Sequence, residues 1–120
     1  MNNSDMPIID SKILREKFKD NSIRIVDVRR EQDYQLGHIT NAVNLPLAKL
    51  LADDSAESIQ KIAQDLGISD ETSVVIYDDT FGALSSRVVW ALQYIGHKDA
   101  KLLDVTFSQW NNSGYEISTE

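Results

Sequence analysis

The sequence predicts an α/β layer sandwich, a central and mainly parallel sheet with helices on both faces, and three observations carry that prediction. Two short runs rich in β-branched residues, 23–28 and 73–77, are each flanked by charged or turn-forming residues, the pattern of buried central strands. Other segments repeat their apolar residues at helical spacing: Ile59, Ile62, Ala63 and Leu66 fall at i, i+3, i+4 and i+7, and Val88, Ala91, Leu92 and Ile95 do the same. Strands that alternate with helices pair in parallel through right-handed crossovers, which puts a helical layer on each face of the sheet.

Taken in order, the elements begin with a weak strand at Ile8-Ile9 and a helix over 11–18, for which Asp10 is the N-cap. After the strong strand 23–28 come a short helical turn at 31–35, a weak strand at 42–44 and a helix at 47–51. The acidic, alanine-bearing stretch 52–57 reads as a loop before the helix that holds Ile59 to Leu66. Gly67 closes that helix as a left-handed cap, because only a residue without a Cβ takes that conformation freely. The strong strand 73–77, the helix through Val88 to Ile95 with its Gly96 cap, a strand at 101–103 and a helix at 107–112 complete the chain. There is no internal repeat and no Pro/Gly/Ser linker. A single domain spanning 1–120 is expected, and 42% hydrophobic residues suffice for one core.

Composition excludes several functions. Nineteen acidic against 12 basic residues give a net charge of -7, which repels polyphosphate backbones, so nucleic acid is not an expected partner. No run approaches the ~18 apolar residues of a membrane span, and Met1 to Asp5 are polar with no basic stretch or apolar segment behind them; a cytoplasmic protein with no membrane partner is expected. The absence of cysteine removes disulfides, thiolate metal sites, dithiol redox chemistry and thiol catalysis together. The two histidines, His38 and His97, have no second ligand at helical metal-site spacing, so no metal and no cofactor are expected.

Three segments then become recognisable. The first is Ile25-Val26-Asp27-Val28-Arg29, followed by Gly37-His38-Ile39-Thr40-Asn41-Ala42-Val43-Asn44-Leu45-Pro46; the second runs from Val74 through Tyr77-Asp78-Asp79 and Gly82 to Ser86-Arg87-Val88-Val89-Trp90 and on to Gly96-His97; the third is Leu103-Asp104-Val105-Thr106-Phe107-Ser108-Gln109-Trp110. Together they resemble the rhodanese family, and that resemblance implies the three-layer rhodanese-like sandwich. The third segment is similar to the family's "LDGG-F-x-x-W", with both glycines replaced. The pattern from Tyr77 to Trp90 looks most like the non-catalytic amino-terminal domain of two-domain thiosulfate and mercaptopyruvate sulfurtransferases, a half that contributes to an interdomain cleft.

In catalytic members of that family a strand delivers a cysteine over a ring of backbone amides at a helix N-terminus, where oriented N–H groups lower the thiol pKa. Here an aspartate stands at that position. An ungapped match anchored on the helix, counted back from Gly96, selects Asp79; one anchored on the strand selects Asp78. A carboxylate cannot hold a persulfide, so no catalytic residue is expected. The helix-anchored match places Asp79 over the amides of Thr80 to Leu84, with Asp78 pointing away.

The remaining candidates read mainly as structural. Arg29, beside Arg30, Glu31 and Asp33, suits a charge network; Asp27 caps neighbouring amides; His38 bonds backbone carbonyls in its turn; Trp90 and Trp110 occupy helix positions that face the sheet. Two roles stay open for Arg87, neutralising Asp78 or Asp79 or binding an anion in a cleft. Neighbours at a strand end point to opposite sides, which disfavours Asp78 and Asp79 as a joint acid and base. The expected function is that of a non-catalytic binding or regulatory module. Its contact surface is the loop Asp78, Asp79, Thr80, Phe81, Gly82, Ala83 and Leu84 together with Arg87. The partner is an unknown protein, a catalytic rhodanese domain or a second copy; the alternative is half of a two-domain-type sulfurtransferase completed in trans by a cysteine-bearing domain.

Overall fold

The computed structural model describes residues 7–120, so the polar stretch 1–5 lies outside the described residues. Strands β1 (Ile8–Ile9), β2 (Ile23–Asp27), β4 (Val43–Asn44), β5 (Ser73–Tyr77) and β6 (Ala100–Leu103) form one parallel sheet in the order β1-β6-β5-β2-β4. The two strong sequence runs are therefore adjacent interior strands, registered from Ile23 opposite Ser73 to Asp27 opposite Tyr77. The register continues one step past β2, where the Val28 amide bonds the Tyr77 carbonyl at 3.2 Å.

Period-two alternation sends each strand's side chains into two different cores. On one face Val26, Val74 and Ile76 pack with α3 (Leu47–Ala52), α4 (Ala56–Asp65) and α5 (Ser85–Tyr94). On the other, Ile25, Val75 and Tyr77 pack with Leu14 of α1 (Ser11–Lys17) and Trp110 of α6 (Phe107–Asn112). This is the three-layer arrangement the sequence predicts. Asp10 caps α1 through the Lys12 amide, and Gly67 and Gly96 take φ of 77° and 94° after α4 and α5. No helix among the described residues is long and apolar enough to cross a membrane.

Three details differ from the sequence reading. The stretch 52–57 is shorter as a loop than expected, because Ser55 accepts from the Ser58 amide and starts α4 at Ala56. A second, two-stranded antiparallel ribbon pairs β3 (His38–Ile39) with β7 (Ile117–Ser118), and the short helix α2 (Glu31–Leu36) precedes it. Trp90 does not face the sheet: it is 53% exposed on the outer side of α5, whereas Trp110 is fully buried. The core side of α5 is already filled by Val88, Val89 and Leu92, so Trp90 falls on the opposite side of the helical turn.

Candidate functional site

The carboxyl ends of parallel strands are where α/β folds assemble their sites. At the end of β5, Asp78 continues the even-numbered side-chain set of Val74 and Ile76 and so points toward the α5 layer. Its carboxylate is 3% exposed. One oxygen, Oδ1, accepts from the amides of Thr80 at 2.8 Å and Gly82 at 3.1 Å. The other, Oδ2, accepts from the amides of Leu84 at 3.1 Å and Ser85 at 2.8 Å and from Ser85 Oγ at 2.9 Å. Phe81 at φ 57° and Gly82 at φ 95° turn the loop so that these N–H groups converge, forming an anion nest. The Phe81 side chain faces solvent and is 78% exposed.

Leu84, the N-cap of α5, offers no side-chain cap, and Asp78 supplies one from upstream in the chain. Burial pushes the Asp78 carboxyl up, but the N–H bonds from Thr80, Ser85 and Gly82 outweigh it and hold the group below the usual carboxylate range. It is an ionised group with all its acceptor directions engaged, which makes it a weak base and no nucleophile.

Asp79 belongs to the other face. Its carboxylate accepts from the Ser108 amide at 3.0 Å and Ser108 Oγ at 2.9 Å, while the Asp78 carbonyl accepts from the Phe107 amide at 3.0 Å. The pair 78–79 thus caps two helices on opposite sides of the sheet. This corrects the helix-anchored expectation: Asp78 receives the amides of the loop, and Asp79 is the residue that points away. Arg87 is exposed and, among the described residues, forms no ion pair with either aspartate; the nest amides neutralise Asp78 in its place.

A second buried carboxylate ends the neighbouring strand. Asp27, fully buried, accepts from the Arg29 amide at 2.8 Å and pairs with the Arg29 guanidinium, whose Nη2 lies 2.8 Å from Oδ2. Tyr77 donates its hydroxyl to Asp27 Oδ2 at 2.6 Å and accepts the Ile39 amide at 3.0 Å. Burial first, and then the Asp27 charge, push the Tyr77 hydroxyl far above its ordinary range. Arg29 also donates to the Gly37 carbonyl at 2.6 Å and lies 3.9 Å over the Phe107 ring. Burial opposes the Arg29 charge, and the Asp27 hydrogen bond restores it and more. Arg30 pairs with Asp33, and His38 donates Nδ1–H to the Tyr34 carbonyl at 2.8 Å while stacking on the Tyr34 ring at 3.8 Å.

Asp78 is thus joined to Thr80, Gly82 and Leu84 at one nest, while Asp79 and Arg87 lie outside it, Asp27 and Arg29 form a separate ion pair that reaches Gly37, and His38 sits in β3 against Tyr34. Sequence reasoning missed Ser85, Ser108 and the Tyr77 hydroxyl. The signal for the first two was present in the period of β5, which assigns residue 78 to the α5 side and residue 79 to the α6 side. Among the described residues no group of three or more His, Asp or Glu is arranged to hold a metal.

The fold and the site together define a parallel α/β sandwich in which the amides between a central strand and the next helix hold a buried carboxylate. The family described as "Rhodanese-like domain" matches residues 10–113, and the chain belongs to that family. It is 28% identical to the sulfur carrier protein TtuD of Thermus thermophilus, covering 94% of this chain and 42% of that protein. It is 30% identical to the putative thiosulfate sulfurtransferase SseB of Mycobacterium tuberculosis, covering 81% and 40%. The structure of the 3-mercaptopyruvate sulfotransferase SseA from Escherichia coli superposes with a TM-score of 0.83 at 20% identity, covering 96% of this chain and 51% of that one. The chain spans less than half the length of these curated relatives.

Proposed function

We propose that this chain is a non-catalytic rhodanese-like module, cytoplasmic, that binds a protein partner through the loop from Asp78 to Leu84. The observation that carries this reading is the occupied nest. The amides that would hold a sulfur-bearing anion are taken up by a side chain of the protein itself, and the chain has no cysteine to receive sulfur. What the loop retains is a hydrogen-bonded backbone presenting Phe81 to solvent. A non-glycine residue held at positive φ costs the fold about 1 kcal/mol or more, and such strain concentrates where a side chain must be displayed. A fixed aromatic ring loses little entropy on contact and anchors an interface well.

A second reading follows from the relatives. The chain is similar to a putative thiosulfate sulfurtransferase and carries no cysteine, so the partner fits a separate cysteine-bearing rhodanese domain that completes a two-domain-type enzyme in trans.

Two measurements test these readings. Purified protein with thiosulfate or mercaptopyruvate and cyanide is expected to yield no thiocyanate above a protein-free control; turnover lost on Asp78→Ala would end the non-catalytic reading. Quantitative affinity capture from the source cell, comparing the native chain with Phe81→Ser, is expected to recover a protein that the variant loses. If that protein carries a rhodanese domain with cysteine, the second reading holds. Equal recovery on both baits removes the loop as the docking surface.

A further inference from the structure

The outer side of α5 carries a feature the nest does not use. Arg87, Trp90 and Tyr94 follow at i, i+3 and i+7, away from the core residues Val88, Val89 and Leu92. Trp90 and Tyr94 are 53% and 58% exposed, yet their rings stack in parallel with centroids 5.3 Å apart and planes 9° from each other. The stack leaves two large apolar faces in water, which brings the fold little stabilisation. Arg87, one turn upstream, is exposed and without an ion pair among the described residues. Trp, Tyr and Arg are the residues that dominate the energetics of protein interfaces, and here a helix presents all three in fixed register.

Charge identifies the occupant. The chain carries 19 acidic residues, but none lies between Asp79 and Asp99, a stretch that holds Arg87 and Lys98. Asp99, at the far end, is occupied by Lys101. The stretch 34–52 is equally free of carboxylates, but its aromatic ring, Tyr34, is half-buried under the His38 stack. The outer side of α5 thus presents two aromatic rings and one cation, with no carboxylate on the helix itself, in a chain whose net charge is -7.

We propose that this side of α5 is a second docking surface, separate from the loop at Phe81, for an acidic segment of a partner protein. An apolar or aromatic side chain of that segment seats on the Trp90–Tyr94 stack and a neighbouring carboxylate reaches Arg87. The two terms are separable, because the ring contact is insensitive to salt and the ion pair, being exposed, is screened by it.

A fluorescein-labelled copolymer of glutamate and tyrosine, with polyglutamate of the same length as reference, tests this by fluorescence anisotropy. The native chain is expected to bind the copolymer more tightly than polyglutamate, and less tightly at high salt. Trp90→Ala and Arg87→Ala should each weaken copolymer binding by about tenfold, the range of a moderate interface anchor. Both positions are exposed, and unchanged circular dichroism would show that the variants fold. Phe81→Ser should leave copolymer binding intact, which separates this surface from the loop. Equal binding of the two polymers, or native affinity in Trp90→Ala, overturns the proposal. So does concentration-dependent self-association in sedimentation that Trp90→Ala abolishes, because the occupant is then a second copy of this chain.

Discussion

Asp27 and Asp78 end adjacent strands, both are buried, and they lie on opposite faces of the same sheet, yet they are stabilised by different physics. Asp27 meets a full positive charge, the guanidinium of Arg29, with the Tyr77 hydroxyl as an additional donor. Asp78 meets no cation; five neutral donors, four of them backbone amides, share its charge. The first arrangement is a closed pair in which each partner depends on the other. The second is a receptor made of main chain, and any acceptor of suitable size can in principle satisfy it. Only the second therefore resembles a binding site, even though both carboxylates are equally hidden.

The largest way to break this comparison is Asp27→Ala. It leaves Arg29 buried without its counter-charge, and loss of one partner of such a pair costs about 3 to 5 kcal/mol. Urea unfolding monitored by the buried Trp110 should show that loss. Asp78→Ala is expected to cost less, about 2 to 3 kcal/mol, because the orphaned amides are dipoles rather than a charge. If Asp78→Ala is the more damaging of the two, the nest depends on Asp78 as strongly as an ion pair does, and the distinction fails.

Acid sharpens the contrast. The Asp78 carboxyl lies below its unfolded value, near 3.9, so the unfolded chain takes up its proton first as pH falls. The stability Asp78 contributes is complete above that pH and is lost as pH drops through the folded value. Asp78→Asn should therefore lower stability at neutral pH by about 1 to 2 kcal/mol. The difference from the native chain should shrink below pH about 4. A difference that stays constant from neutral to acid pH would mean the carboxylate charge is not what the nest holds.

The nest can also be read with a thiol. Asp78→Cys places sulfur over converging amides, and its reaction with iodoacetamide near neutral pH should exceed that of Asp79→Cys by about tenfold, equivalent to roughly 1.4 kcal/mol. Sulfur transfer itself should stay at background, since Phe81 and Leu84 occupy the loop and the net charge of -7 repels anionic donors. Greater reactivity at position 79 would reverse the assignment of the two aspartates. The smallest expected effect is Asp79→Ala, which removes the side-chain cap on Ser108 at the start of α6 for about 1 kcal/mol in the same unfolding assay.

These positions also show where the sequence is legible. Strands β2 and β5 and helices α4 and α5 announce themselves because each repeats a local period over several residues, and α6 lies where the sequence predicts a helix, with the Thr106 capping box added by the structure. The β3–β7 ribbon leaves no such mark: each strand has two residues, and their pairing depends on contacts formed across most of the chain. The site was ambiguous by one residue for a simpler reason. Counting from a helix carries loop-length errors into the strand, whereas the alternation Val74, Ile76, Asp78 does not. Trp90 departs from the expectation because Val88, Val89 and Leu92 fill the core side of its helix, which leaves the ring on the opposite side. Nothing local marks a tryptophan that stays in water.

The pairing of His38 with Ser118 and Ile39 with Ile117 has a consequence for the order in which the molecule is completed. During synthesis the chain emerges from its amino end. The hydrogen-bonding partners of the Asp27–Arg29–Tyr77 network all lie at or before residue 77, so these bonds can form before Phe107 arrives to cover Arg29. The ribbon must wait until residue 118 is free, and closing so long a loop adds only a modest, logarithmically growing entropic cost. Ile39 links the two events, since its amide is held by Tyr77 before its strand is joined by Ile117. A nascent chain halted before residue 117 would carry both central strands and the filled nest, with one backbone edge at His38 and Ile39 awaiting its last partner.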